Sequence, residues 1–296
     1  MSTLMRRIFL CIIGILAGLI AWPIAEVILL FQSSFSSYLI FSIFLGLIFG
    51  LFMGGFFGSS EGIIMSIRSN IVSGMIQGAL IGIVGGIIGF LIGQGALFII
   101  GELFIQSTKS FNTIGFPVSR AIGWAFLGLF IGIVEGIRSR SFDKIKVGLL
   151  GGILGGFIGG LVLEYFRLLI PSIMLARLVG LLIFGLFIGL FYGFVERRLS
   201  FGVLRLLNGK FKGKEFLINQ KKMKIGGTEK NDIVLSGYSN VADLHAEIKI
   251  KGDDVFITNC DEKNPANVND DKIKEHLLKL EDVIQIGTAK LIFKFN

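Results

Sequence analysis

Six stretches of this chain, near residues 8–30, 38–58, 71–100, 117–135, 147–169 and 175–196, are apolar for the length of a membrane-crossing helix, about 20 residues. Nothing else in the sequence restricts the fold as strongly. A soluble domain has about a quarter of its residues charged. Here 17% are charged and the mean hydropathy is +0.78. The charges are also unevenly placed. Of the 29 Lys and Arg, 13 lie in residues 1–200, against 16 in residues 201–296; of the 21 Asp and Glu, 7 lie in the first part and 14 in the second. The expected organisation is therefore multi-domain: a Gly-rich six-helix transmembrane domain over 1–200, then a polar domain over 201–296.

The segments between the apolar stretches alternate in Lys and Arg. Arg6, Arg7, Arg68, Arg138, Arg140, Lys144, Lys146, Arg197 and Arg198 fall on one side, and Lys109, Arg120, Arg167 and Arg177 on the other. By the positive-inside rule this predicts a multi-pass cell-membrane protein with both termini cytosolic. The first apolar run continues past Glu26 to Phe31, so it reads as a retained helix rather than a cleaved signal. The net charge of +8 falls mostly on the helix part, which argues against a nucleic-acid partner. Cys11 and Cys260 lie far apart and suggest neither a disulfide framework nor a metal site.

The helices repeat in pairs. Gly50-Leu-Phe-Met-Gly54, Gly128-Leu-Phe-Ile-Gly132 and Gly185-Leu-Phe-Ile-Gly189 recur in the second, fourth and sixth. Arg120 and Arg177 each stand eight residues before the matching glycine. In the odd helices Gly18, Gly86 and Gly156 precede Glu26, Gln94 and Glu164 by eight. Three tandem helical hairpins with the same in–out sense are expected, related by an axis near the membrane normal. Glycines at spacing four, such as 46, 50, 54, 58 and 62, share a helix face and let a second backbone approach closely. Two readings of this glycine zipper follow, tight helix packing or a narrow pore lined by backbone. Helices three and five carry a second glycine stripe, which predicts a central position for them. Glu26, Glu102, Glu164, Arg120 and Arg177 gather at the outer helix ends, where ion pairs such as Glu102 with Arg120 are expected. Glu61, Glu135 and Glu196 mark the inner ends beside Arg68, Arg138 and Arg197.

After Arg198 the period changes to two. Ala246, Ile248 and Ile250 share a face, as do Val255 and Ile257, and Ala289, Leu291, Phe293 and Phe295. Turn residues at Asn208-Gly209, Lys251-Gly252-Asp253 and Asn269-Asp270-Asp271 separate such runs. The pattern predicts an all-β antiparallel sandwich.

Four blocks in this region carry a resemblance. Lys224-Ile-Gly-Gly-Thr-Glu-Lys-Asn-Asp-Ile-Val-Leu235, Val241-Ala-Asp-Leu-His245-Ala-Glu-Ile, Asn264-Pro-Ala-Asn-Val-Asn269 and Glu281-Asp-Val-Ile-Gln-Ile-Gly287 resemble, in order and spacing, those of a forkhead-associated (FHA) domain over residues 203–296. The resemblance implies an eleven-stranded sandwich that binds phosphothreonine peptides with loops at one end. It makes Gly226, Asn231, Asp232, His245, Asn269 and Gly287 scaffold residues, with His245 bracing the loops. The chain departs from the family at the phosphate-binding positions. Gly227 stands for the family Arg, Ala242 for its Ser, Asp243 for the Arg that follows, and Pro265-Ala266 for Gly-Thr. A phosphate needs an Arg fork and hydroxyl or amide donors. Thr228, Lys230, Ser239, Asn240 and Asn264 remain as ligand-loop candidates.

No catalytic triad, thiol–imidazole pair or phosphate loop is present in a believable context, so no enzyme and no cofactor are expected. The reading is a membrane-anchored scaffold whose FHA-like domain recruits a protein partner, in signalling or in assembly of a membrane complex, without standard phosphothreonine recognition. A phosphopeptide partner is the weaker form of this reading, and a homo-oligomer is compatible with it. The lipid bilayer is the other partner; the basic residues between Arg197 and Lys224 read as positive-inside bias and solvated strand faces, with attraction to an anionic leaflet as the alternative. The rival class is a transporter or channel with a regulatory FHA-like domain.

Overall fold

A computed structural model describes residues 2–65, 67–105, 107–252 and 254–295. The expected turn at Lys251-Gly252-Asp253 therefore falls partly outside the described residues, at Asp253. The chain divides into two compact units, Arg7–Glu196 and residues 197–296 with the segment up to Arg6.

Six helices are long and apolar enough to cross a bilayer: α1 (Thr3–Leu30), α2 (Tyr38–Met65), α3 (Arg68–Leu103), α4 (Phe116–Arg138), α5 (Phe142–Leu169) and α6 (Ile173–Arg198). Local chemistry marks their ends. The Ser141 hydroxyl accepts from the Lys144 N–H and opens α5. Helix α4 continues a helical segment that starts at Thr108 and takes π form over Phe111–Gly115, immediately ahead of Pro117. Arg140, at φ 51°, reverses the chain between α4 and α5.

The glycine stripes are packing surfaces. Gly50 of α2 lies against Gly82 of α3, Gly128 of α4 against Gly152 of α5, and Gly185 of α6 against Gly14 of α1. A Cβ on any of these would collide with the partner's carbonyl oxygen. Gly82, Gly152 and Gly14 are equivalent in the repeat, each four residues before the odd-helix landmark glycine. The same contact thus occurs three times, and the third closes a ring between the last helix and the first. The repeat in the sequence pairs helices one and two, three and four, five and six. The closest backbone contacts are offset by one helix.

The expectation that α3 and α5 lie centrally is corrected. Phe49, Leu127 and Phe184 each stand one residue before the matching glycine of α2, α4 and α6. Met53, Ile131 and Ile188 stand three residues after it. All six are buried together in one cluster. The even helices therefore fill the axis, and the odd helices lie in the grooves between them. This explains the second stripe. Gly82 and Gly86 of α3 meet α2, while Gly85 and Gly89 meet Phe130, Gly123 and Leu127 of α4. In α5, Gly152 meets α4, while Gly151, Gly155 and Gly159 meet Tyr192, Ile188 and Phe184 of α6. One stripe serves each neighbour, so these glycines face backbone and side chains rather than a channel. The outward faces of α3 and α5 carry exposed Ile76, Leu80, Val84 and Leu154, which suit lipid.

The C-terminal unit is a sandwich of two sheets, with eleven strands among the described residues. One sheet has six strands in the order β2 (Glu215–Ile218), β1 (Gly202–Leu206), β11 (Ala289–Lys294), β10 (Val283–Ile286), β7 (Asn267–Val268) and β8 (Asp271–Lys272). The other has five, ordered β4 (Ile233–Val234), β3 (Lys222–Gly226), β5 (Ala246–Lys251), β6 (Asp254–Asn259) and β9 (Glu275–Leu277). The chain ends of the sandwich pair β1 with β11, Leu204 opposite Phe293. Leu204, Ile225, Ile248, Ile257, Ile284, Leu291 and Phe293 are fully buried between the sheets, whereas Ile250 is half-buried and Phe295, beyond the end of β11, is exposed rather than sharing the inward face expected of it.

Candidate functional site

The strand order sets which loops share an end. β10 runs toward the turn at Gly287-Thr288, and β7 pairs antiparallel with it, Ile284 opposite Val268. The β6–β7 loop therefore lies at the Gly287 end. So does the β4–β5 segment, because Ser239 and Thr288 exchange two hydrogen bonds, Ser239 N–H to Thr288 Oγ1 at 3.0 Å and Thr288 N–H to Ser239 O at 3.0 Å. Gly287 has φ +55°, and a Cβ there would press into the Ser239 and Asn240 carbonyls. Glycine is thus required at this turn on two counts. Thr228, Lys230, Ser239, Asn240 and Asn264 all belong to this apical end. Lys230, Ser239, Asn240 and Asn264 are exposed, and Thr228 is half-buried.

Asn231 ties the β3–β4 loop to the β4–β5 segment. Its buried amide donates to the Thr228 carbonyl at 3.0 Å, to Thr228 Oγ1 at 3.1 Å and to the Asp243 carbonyl at 2.6 Å. Gly226 lies beneath this clamp, with no room for a Cβ beside Asp243 O. The Asp232 carboxylate accepts from the Lys224 N–H at 2.8 Å and holds the strand entering the loop. His245 is fully buried. Its Nδ1 accepts from the Ala242 N–H at 3.2 Å, so a neutral ring carries its proton on Nε2. Burial pushes the imidazole below its ordinary value, against the Asp261 carboxylate 3.9 Å away. These contacts give His245 a bracing geometry.

Asp261, absent from the candidate residues, organises the β6–β7 loop. It accepts from the Lys263 N–H at 3.1 Å and from the Asn264 amide at 3.3 Å. Burial opposes its charge, but these donors hold its carboxyl below the usual range. Tyr238 and Asn208 form a second brace. The Tyr238 hydroxyl donates to the Asn208 carbonyl at 2.6 Å, and the Asn208 amide donates to Thr288 O at 2.8 Å. The sequence signalled Asn208 only as a turn.

Asn269 is placed elsewhere. It lies in the β7–β8 turn at the opposite end, with φ 50°, where it bonds Asp282 at 2.8 Å and the Val283 N–H at 3.0 Å. Asp282 also accepts from the Lys279 N–H at 2.8 Å and meets His276 Nε2 at 3.2 Å.

The electrostatics of the apical end are unfavourable to phosphate. Lys230 and Lys263 stand among Glu229, Asp243, Asp261 and Glu262, leaving an acid excess. Gly227 brings no side chain, and its N–H is taken by the Ala242 carbonyl at 2.9 Å. The Thr228 hydroxyl already lies in the Asn231 clamp.

In the helical unit the outer ion pairs differ from the expected one. Arg177 forks onto Glu26 at 2.6 and 2.5 Å, and Arg167 meets Glu164 at 3.0 Å. Arg120 lies 3.8 Å from Glu164 rather than beside Glu102, which is exposed. At the inner ends Glu135 pairs with Arg138 at 2.9 Å and Lys144 at 3.5 Å.

Residues 205–295 match the family described as "Inner membrane component of T3SS, cytoplasmic domain". No curated protein matches the chain. Among solved structures, the FHA domain of the CT664 protein from Chlamydia trachomatis is 27% identical, covering 32% of this chain and 97% of that one, with a TM-score of 0.30. An FHA domain solved in complex with the intracellular domain of another protein is 24% identical, covering 31% and 99%, with a TM-score of 0.29. The N-terminal FHA domain of an S. cerevisiae protein, solved with a phosphothreonine peptide, is 15% identical, covering 32% and 93%, with a TM-score of 0.30. The C-terminal domain is of the FHA type. Among the described residues six helices are long and apolar enough to cross a membrane, and the chain is a membrane protein by them.

Proposed function

We propose that the protein is a membrane-anchored scaffold whose FHA-type domain faces the cytosol and recruits a protein partner through its apical loops without requiring phosphothreonine. The observation that carries this reading is the contrast at that end. The loop braces are in place, from the Asn231 clamp through His245 Nδ1 to the Asp261 hub, although the buried His245 Nε2 has no hydrogen-bond partner among the described residues. The phosphate-reading side chains are replaced by Gly227, Ala242 and Asp243. A surface held this rigidly suits recognition, because little ordering entropy is lost on binding. Its acid excess, with Leu244 exposed beside Asp243, favours a basic or neutral segment with an apolar anchor. The excess of Lys and Arg at one set of helix ends supports the cytosolic placement. The family match to a cytoplasmic domain of a membrane component supports assembly of a membrane complex as its setting.

The test is site-specific photo-crosslinking of the full chain in native membranes, with the reactive group at Leu244, Asn264 or, as a contrast, Asp270 at the opposite end. The expected outcome is one shared cytosolic partner captured from Leu244 and Asn264, and at least fivefold less from Asp270. Equal capture from Asp270, or none from the apical positions, removes the reading.

A further inference from the structure

The helical unit contains a cavity of about 410 Å³, lined by the C-terminal parts of α1, α3 and α5 and the N-terminal parts of α2, α4 and α6. That volume lies within the ordinary range for small-molecule sites. Its rim is polar and its depth aromatic. Glu26, Gln94, Arg120, Glu164, Arg167 and Arg177 form the rim, and Phe49, Phe90 and Trp124, nearer the middle of their helices, form the depth.

The threefold repeat explains how the rim is charged. Position Gly−8 of each even helix faces position Gly+8 of the following odd helix. In two repeats these are Arg and Glu: Arg177 bonds Glu26 at 2.6 Å, and Arg120 lies 3.8 Å from Glu164. In the third they are Ser42 and Gln94, joined at 3.3 Å. The ring of pairs is therefore neutral by design. Arg167 breaks the balance. It stands three residues after Glu164, where the other two repeats have Leu29 and Leu97, and all three positions line the cavity. Arg167 takes Glu164 at 3.0 Å, which also accepts from Trp124 Nε1 at 3.3 Å. Among the described residues Arg120 has its longer contact to Glu164, a long hydrogen bond to the Tyr38 hydroxyl at 3.4 Å and the Phe116 ring at 5.1 Å. A guanidinium has five N–H donors. The cavity thus holds one cation more than its carboxylates neutralise. A further donor, the buried Nε1 of Trp22, has no hydrogen-bond partner among the described residues.

An uncompensated guanidinium in a confined site favours an anion, and the fork geometry suits an oxyanion. The aromatic depth favours an apolar tail. We propose that this cavity binds an anionic amphiphile, its carboxylate or phosphate head held by Arg120 and Arg167 and its tail among Phe49, Phe90 and Trp124. The amphiphile is either a lipid of the surrounding bilayer or a water-borne molecule of the same chemistry.

The chain has two tryptophans, Trp22 and Trp124, and both line the cavity, so intrinsic fluorescence of the full-length protein reports its occupancy. The protein is placed in phosphatidylcholine nanodiscs and titrated with decyl phosphate, decanol or inorganic phosphate. Decyl phosphate is expected to give a saturable change at a concentration at least tenfold below decanol, with inorganic phosphate weaker than both. Arg167→Leu restores the residue found in the other two repeats and keeps the packing, and it is expected to abolish the tenfold preference. Arg167→Lys is expected to retain most of it. If nanodiscs doped with phosphatidic acid give the Arg167-dependent change without added amphiphile, the source is the bilayer. If only aqueous decyl phosphate gives it, the source is water-borne. Equal binding of decyl phosphate and decanol, or a preference unaltered by Arg167→Leu, overturns the proposal.

Discussion

Valine at Gly50, Gly128 or Gly185 is expected to destabilise the helical unit severely and by similar amounts. Each new side chain meets the carbonyl of the opposing helix rather than a movable side-chain end, at Gly82, Gly152 and Gly14 respectively. Overpacking in a filled interior costs about 1–3 kcal/mol, and a backbone obstacle places these variants at or above about 3 kcal/mol. The control is Gly95→Ala in α3, because a Cβ there meets nothing within 4 Å. It is expected to be neutral, or stabilising by up to about 1 kcal/mol through helix propensity. Unfolding of the full-length protein in a graded detergent mixture compares the four. Gly185→Val is the decisive variant, because its contact joins the last helix to the first. A Gly185→Val protein as stable as Gly95→Ala would show that the ring is open.

In the sandwich the largest effect is expected from Asn231→Ala. The substitution removes three hydrogen bonds and, among the described residues, leaves the Thr228 carbonyl with only the Asn231 N–H at 3.2 Å and the Asp243 carbonyl with only the Thr228 hydroxyl at 3.4 Å. A hydrogen bond contributes about 0.5–1.5 kcal/mol net, so the loss of these three is expected to cost about 2–3 kcal/mol. Urea denaturation of residues 201–296 measures it, since this part has its own core between two sheets. Lys230→Ala, on the same loop but exposed, is expected to stay within about 0.5 kcal/mol. A stability loss for Asn231→Ala no larger than that of Lys230→Ala would mean that the clamp does not hold the loop.

The repeat was legible in the sequence because packing against a backbone demands glycine at fixed intervals, and no other residue satisfies it. Gly50, Gly128 and Gly185 could be aligned by inspection. Their partners could not. Spacing identifies a close-contact face but not the helix that occupies it, so the pairing of α6 with α1 and the inward position of the even helices needed coordinates. The second stripe on α3 and α5 signals two close neighbours, a condition that a helix in an outer groove meets as well as a central one. The sandwich was legible for a related reason. Period-two burial fixes strands such as β5 and β11, and Gly226, Asn231 and His245 each fill a geometric need that few residues meet. Asp261 and Tyr238 were not legible, because a surface Asp or Tyr carries no periodic signal and their roles depend on loops that meet only in the fold. Arg120 was visible as an outer cation, but its nearest carboxylate, Glu164, depended on which odd helix stands beside α4.

Recruitment of a partner by this domain requires an apical face that works without phosphate. The direct measurement is binding of residues 201–296 to matched peptide libraries with threonine either phosphorylated or unmodified. The expected result is binding that is indifferent to, or weakened by, phosphorylation, as the carboxylates of Asp243, Asp261 and Glu262 require, and that survives Lys230→Ala. Phospho-selective binding, lost when Lys230 is replaced by Ala, would contradict it.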